Sequence, residues 1–494
     1  MLGARWMLGF WVVAMVTVWS SRDLVAQPAG PVTGSSPVAD GPAPEATTGA
    51  PLPGSREVSG VVQAEARGMA PALRWVPRVL LFVPRWAFYL ASQPVRGAAW
   101  AYERFDIRLR AREVFFNDAE TFGVYPTAFR EAGFGLHVGG RMIVRDVFGA
   151  GEGLKARVGY GGRFRQLYAL SLSTGERFGR LEFDLDAEFD IRDKDRFYGI
   201  GNRDRVDPAD LGGAPPLIDA LADDTAVATR FRQDVGQINL GTGFEVRGGF
   251  SVNALAGVLW RSFGQPGDAA GLSDDAVGNV YDLDSLVGFD GGLSAVQGEL
   301  EVAYDSRRPA SRYIARSVHS TGWRLAGYAG LTRGFGGDES SYTRYGVDLQ
   351  RYIDLYHGTR ILALRFFAEG VSGSLENIPF VDLPRLGGAQ LLRGYDSDRF
   401  RDRAMTVFTA EYEWDLSSRV YSFFFVDVGR VWRSFRAIDG AGLQDSRVGF
   451  GGGLQILSMK SFLARLSLST SIDGGLFVNF SFDPAYDRLS RRRK

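Results

Sequence analysis

Between residues 181 and 191 the chain alternates without a break. Leu181, Phe183, Leu185, Ala187, Phe189 and Ile191 interleave with Glu182, Asp184, Asp186, Glu188 and Asp190. Successive side chains of an extended strand point to opposite faces, whereas a helix would mix these two sets on every face. The segment therefore predicts a strand with one fully apolar face and one fully ionic face. The same period returns over residues 237–247, where Ile238, Leu240, Phe244 and Val246 oppose Gln237, Asn239, Glu245 and Arg247. It returns again over 296–305, 405–415 and 462–472. Twelve such segments occur between Leu181 and Phe482, with weaker candidates over 122–174 and around 226–234.

Two architectures can use this pattern. A barrel in a bilayer turns the apolar face to lipid and the polar face to its lumen, with strands of ~9–11 residues. A soluble β-sandwich alternates in the same way with the faces reversed, so periodicity alone does not separate them. The connections favour the barrel. Gly248-Gly249 and residues 416–420 read as short turns, while 192–225, 261–295 and 370–403 are long and rich in Gly, Asp, Pro and Ser. Short turns at one end and long loops at the other are the outer-membrane arrangement. High glycine (63 residues), 13% aromatics and no cysteine also fit a β-rich chain without a disulfide framework. The expected fold is all-β: a transmembrane antiparallel β-barrel over residues 116–483, with a short N-terminal helical segment. Its closing strand is expected to run from Gly474 to Phe482, with Leu476, Val478, Phe480 and Phe482 on one face. Gly474 and Gly475 would loosen it, since interior glycine weakens a strand.

The N-terminal region carries different signals. Arg5 precedes an apolar run from Trp6 to Trp19, which predicts a secretory signal peptide over residues 1–26, cleaved after Ala26. A retained anchor is the alternative, although about 14 apolar residues are short for a span needing ~20. Residues 27–56, rich in Pro, Ala and Gly, cannot bury enough surface to fold and read as a disordered leader. Residues 57–115 read as a short amphipathic helical segment, broken by Pro77, Pro84 and Pro94 and punctuated by arginines. It would lie on a membrane surface or plug a barrel mouth; a helix packed in a soluble core fits the stretch equally. A basic tail, 484–494, follows the last strand.

The long segment 370–403 contains Leu386-Gly387-Gly388 and Leu391-Leu392-Arg393-Gly394-Tyr395. Counted back from a periplasmic C-terminus, it is an extracellular loop. Here the chain resembles the BamA/TamA outer-membrane assembly superfamily, bacterial surface antigens whose sixth extracellular loop carries an Arg-Gly-aromatic tip folded back into a sixteen-stranded barrel. Phe425-Val426-Asp427-Val428-Gly429 resembles the family's Phe-x-Asp-x-Gly strand, with Trp432 just beyond, and Glu411 matches an acidic position one strand earlier. Asp305-Ser306-Arg307 resembles a recurrent Asp-x-Arg, and residues 197–202 (Phe-Tyr-Gly-Ile-Gly-Asn) resemble a loop sequence common in relatives. The resemblance implies that Arg393 is held between Glu411 and Asp427. Strand parity agrees, since both carboxylates alternate against outward apolar neighbours and so face the lumen. A guanidinium between two carboxylates can make bidentate, charge-assisted bonds. The resemblance also implies insertion or translocation of proteins, or of lipids, through a lateral seam. Residues 57–115 are too few for the periplasmic POTRA modules of assembly-active relatives, so a member lacking them is expected. A passive channel or structural barrel, or a subunit that borrows periplasmic modules from partner proteins, are the alternatives.

Other functions find little support. Lys+Arg and Asp+Glu balance at 57 each, giving no electrostatic footprint for nucleic acid. No Gly-x-Ser-x-Gly elbow or phosphate loop occurs, and His137, His319 and His357 are far apart. The glycines from Gly449 to Gly453 read as strand. The chain is expected to be no enzyme and to need no cofactor or metal. Its expected partners are outer-membrane lipids, unfolded outer-membrane protein clients and periplasmic proteins.

Overall fold

The computed structural model describes residues 113–481 except 132–134, 147, 163–164, 180, 207–216, 224, 247, 268–274, 310–318, 417–419 and 458–461, together with Arg104 and Arg110. The signal peptide, the leader, nearly all of the helical segment 57–115, Phe482 and the basic tail lie outside the described residues.

Sixteen principal strands carry the fold: β1 (Phe122–Glu131), β2 (Gly135–Arg145), β3 (Gly153–Tyr160), β4 (Arg165–Ser173), β5 (Leu181–Phe197), β6 (Thr229–Glu245), β7 (Phe250–Gly264), β8 (Leu293–Asp305), β9 (His319–Gly334), β10 (Ser341–Asp354), β11 (Arg360–Ser372), β12 (Ala404–Asp415), β13 (Val420–Trp432), β14 (Arg447–Leu457), β15 (Phe462–Ser471) and β16 (Phe477–Ser481). Each pairs antiparallel with the next in sequence, an up-and-down meander. Short two-residue pieces add to it, among them a ribbon of Arg385–Leu386 with Phe400–Arg401 inside the long loop after β11.

Burial decides between the two architectures that the alternation left open. On β8, Leu300 and Val302 are 52% and 49% exposed, while Glu301 between them is 3% exposed. On β6, Leu240 is 51% exposed beside Asn239 at 7%. A soluble sandwich would bury the leucines. Here the apolar face looks outward and the polar face inward, the inversion that a bilayer demands. The protein is a transmembrane antiparallel β-barrel.

Several boundaries differ from the sequence reading. β5 runs on to Phe197 rather than ending before residue 192, and a register shift between Arg192 and Asp195 marks the change. The run Arg192-Asp193-Lys194-Asp195 is polar enough to read as loop, yet Arg192 Nε lies 2.8 Å from Asp195 Oδ1, so the strand satisfies its own charges. β6 likewise absorbs the separate candidate around 226–234, and β7 and β11 extend to Gly264 and Ser372. β5 and β6, at 17 residues each, exceed what a membrane crossing requires, and their ends carry the long loops clear of it. The last strand begins later than expected, at Phe477. Gly474 and Gly475 adopt φ of +91° and +86° and form the turn before β16 rather than part of the strand. Positive φ interrupts the ladder.

At the long-loop end, Ile218, Val227, Val277, Tyr281, Phe289 and Val381 form one apolar cluster with Phe197 and Phe231. Phe380 sits within it, with ring centroids 5.4 Å from Phe197, 5.3 Å from Phe231 and 5.2 Å from Phe263. This cap fixes where the loop 373–403 turns inward.

Candidate functional site

The loop after β11 enters the lumen and packs Leu386, Leu391, Leu392, Tyr395 and Phe400 against inward side chains of β9, β11, β12 and β13, including Tyr328, Phe367, Met405 and Val431. Its tip needs unusual backbone. Leu392 has φ +56° and Gly394 φ +99°. A Cβ at Gly394 would fall 2.2 Å from the carbonyl oxygen of Thr470, and one at Gly449 would fall 1.7 Å from that of Arg393. The loop backbone therefore lies directly on β14 and β15, at places where only glycine permits the approach.

That descent delivers Arg393 to the two carboxylates. Its Nε and Nη2 donate to Asp427 Oδ2 and Oδ1, each at 2.8 Å, and its Nη1 donates to Glu411 Oε2 at 2.9 Å. Its backbone N–H donates to Asp427 Oδ2 at 2.9 Å, and Thr409 Oγ1 donates to Asp427 Oδ1 at 2.8 Å. Arg393, Glu411 and Asp427 are all buried. Ionised groups so buried would be costly unless paired and hydrogen-bonded, and here the pairing is nearly complete.

A second cation joins the cluster. Arg465 of β15 donates through Nη2 to Glu411 Oε2 at 2.5 Å, so Glu411 serves both arginines. Each guanidinium also lies flat over an aromatic ring: Arg393 over Phe425 at 3.5 Å from the centroid, and Arg465 over Phe423 at 3.6 Å. Phe425 and Phe423 in turn face Gly451 and Gly453 across the β13–β14 ladder. A Cβ on Gly451 would meet the Phe425 ring at 2.9 Å, and one on Gly453 the Phe423 ring at 2.7 Å. The Gly449–Gly453 run thus leaves room for two rings that form the floor of the arginine site, an aromatic cover over strand glycine.

Tyr395 continues the tip towards the terminal hairpin. Its hydroxyl donates to Asp473 Oδ2 at 2.9 Å, in the turn between β15 and β16. Burial first, and the hydrogen bond to Asp473 second, push this hydroxyl up to about 12, so it remains a donor near neutral pH. Arg447 Nη1 donates to the same Asp473 Oδ2 at 2.9 Å.

The other residues singled out from the sequence are distributed. Gly429 lies under the loop, where an added Cβ would come 3.3 Å from Leu386 Cδ1. Asp305 and Arg307 pair with each other, Nε to Oδ1 at 2.9 Å, after β8 at the short-turn end and away from the clamp. Leu476, just before the terminal strand, and Val478, within it, are both exposed. Trp432 donates its indole N–H to Thr406 Oγ1 at 2.9 Å. His357 sits in the turn before β11 with φ +44°, and His319 opens β9. No group of three or more metal-ligating side chains occurs among the described residues.

Three contributors were missed. Arg465 lies on the polar face of its strand, and nothing in the sequence connects it to Glu411. The loop sequence at residues 197–202 was noted only as a resemblance, yet the Asn202 amide bonds both the N–H and the carbonyl of Val431, at 3.0 and 2.6 Å. Asp382, at the start of the loop, is buried and paired to Arg261 at 2.7 Å, with Arg344 close by. A buried aspartate within an apolar Phe-Val-Asp-Leu run was the available signal for it.

The sequence matches the Omp85 superfamily domain over residues 146–474. Solved structures similar to this chain include BamA from Haemophilus ducreyi lacking POTRA domains 1-3, at 14% identity and a TM-score of 0.49, covering 73% of this chain and 70% of that one. CdiB from Acinetobacter baumannii matches at 12% identity and a TM-score of 0.41, over 72% of this chain and 58% of its own. CdiB from Escherichia coli matches at 12% identity and a TM-score of 0.44, over 73% and 61%. The chain thus spans less than two thirds of either CdiB. The search of curated proteins gives no match. The family match begins just after β2, ends just before β16 and takes in the whole clamp, and on that ground the chain belongs to the Omp85 superfamily.

Proposed function

We propose that this protein is an outer-membrane barrel that inserts or translocates polypeptides through the seam between β1 and β16, with the Arg393 clamp holding the inserted loop as a lock. Membership of the Omp85 superfamily supports the class of function and the bacterial outer membrane as its site. The entry into the terminal strand carries the seam. β16 begins only after two turn glycines of positive φ, and its described part is Phe477–Ser481. Among the described residues its only ladder is with β15. A strand paired on one side can be displaced, and an incoming strand can pair in its place, which is β-augmentation within lipid. Membrane lipids, unfolded barrel clients and periplasmic proteins that bring docking modules are the partners this reading implies.

The test reconstitutes the protein into liposomes and follows the folding of an added, urea-unfolded outer-membrane protein. Acceleration over protein-free liposomes, lost when engineered cysteines cross-link β1 to β16, is expected. The absence of native cysteine makes that cross-link specific. No acceleration, or acceleration indifferent to the cross-link, would overturn the proposal.

A further inference from the structure

The loop tip does more than meet Glu411 and Asp427. Its three residues touch four consecutive strands on the way to the end of the sheet. Arg393 bonds β12 through Glu411 and β13 through Asp427. Its carbonyl lies against Gly449 of β14, and Gly394 lies against the Thr470 carbonyl of β15. Tyr395 then bonds Asp473 in the last turn, and Arg465 ties β15 back to the same Glu411 that Arg393 uses. The turn itself is closed locally. Thr470 Oγ1 donates to the Gly475 carbonyl at 2.6 Å and Ser471 Oγ to the Gly474 carbonyl at 2.8 Å, so Asp473 and the start of β16 are held as one piece.

We infer that Tyr395 and Asp473 are positioning residues for the terminal strand: the loop tip acts as an internal splint from β12 to the β15–β16 turn, and its hydroxyl–carboxylate bond sets how firmly β16 is held at the seam. This deepens the seam reading by naming what controls the strand that would move. The physical basis is the contrast in attachment. Among the described residues β16 is paired on one side only, to β15, so one bond to a charged acceptor at its entry is a large share of its restraint. The same bond would be a small share for a strand such as β10, with long ladders to both β9 and β11.

The test uses the full chain in liposomes and amide hydrogen exchange resolved by segment. Tyr395→Phe keeps the ring against Phe400, at 5.2 Å between centroids, and removes only the hydroxyl. Exchange over Phe477–Ser481 is expected to rise about ten-fold, with amides of β9 to β11 unchanged, since a hydrogen bond to a charged group contributes at about that level. Asp473→Asn should give a similar rise, and the double variant no more than the larger single effect. An unchanged rate in Phe477–Ser481, or an equal rise throughout the barrel, would overturn the inference. If Asp473→Asn fails to fold because Arg447 also loses one of its partners, Tyr395→Phe still decides the matter. No client enters this measurement, so its failure leaves the insertion reading standing, and failure of client folding leaves the splint standing.

Discussion

Arg393 is the residue on which most of the interior depends. Its replacement by alanine would leave Asp427 and Glu411 buried and facing each other, with Arg465 as the remaining cation on Glu411. Breaking one side of such a pair costs ~3–5 kcal/mol. Arg393→Ala is therefore expected to lower the urea midpoint and to abolish heat-modifiable gel mobility at temperatures the parent survives; unchanged values would mean that the loop is held by its apolar contacts alone. Gly394→Ala should act through the backbone, because the added methyl meets the Thr470 carbonyl and φ +99° is itself strained for alanine, at a cost of ~1–3 kcal/mol read in the same unfolding assay. Asp382 gives a pH signature. Burial alone would raise its carboxyl, but Arg261 and Arg344 outweigh burial and hold it below the usual range. A depressed carboxylate contributes stability that is fully present above the unfolded value of about 3.9 and fades as pH falls through the folded one. Urea midpoints of the parent should thus fall more steeply than those of Asp382→Asn on acidification below that value. The glycine, the arginine and both clamp carboxylates could be named from the sequence, because motif and strand parity point to them together. Arg465 could not be joined to them, because nothing local says which lumen residue it reaches.

At the scale of elements, β13 and β14 work as a unit. Phe423 and Phe425 point inward opposite Gly453 and Gly451, and the rings occupy the space that side chains on β14 would take. Gly451→Val would force the ring and the Leu468 carbonyl apart, an overpacking expected to cost ~1–3 kcal/mol and to loosen Arg393, whose guanidinium rests on that ring. Proteolysis within the loop 373–403 would report it. Full trypsin resistance in Gly451→Val would show that the ring platform is dispensable. The glycine run was legible as strand, since its neighbours keep the alternation. Its purpose was not, because the rings it accommodates belong to another strand and register cannot be read from one segment. The loop after β5 shows the same limit. Asn202 reaches Val431 across more than two hundred residues of chain, and only the curling of the sheet brings them together.

For the whole molecule, the loop fills part of the lumen with buried side chains, among them Leu386, Leu392 and Phe400. The intact barrel is expected to conduct ions poorly in planar bilayers, and Arg393→Ala to conduct more, as the loop leaves the wall. Equal conductance in both would place the barrier elsewhere. The sequence by itself determined the twelve strands from Leu181 onward, the alternation and which face is polar, because a period of two is a local property that each strand states independently. It also supplied the loop motif and the two carboxylates. Which face meets lipid was decided by the tertiary structure, since the same alternation serves a sandwich and only the burial of Glu301 beside exposed Leu300 separates them. So too were the sharing of Glu411 by two arginines and the reach of Tyr395 to the last turn. These depend on which strands become neighbours once the sheet curls, and that geometry is set by ladders between distant segments rather than by any residue's own preference.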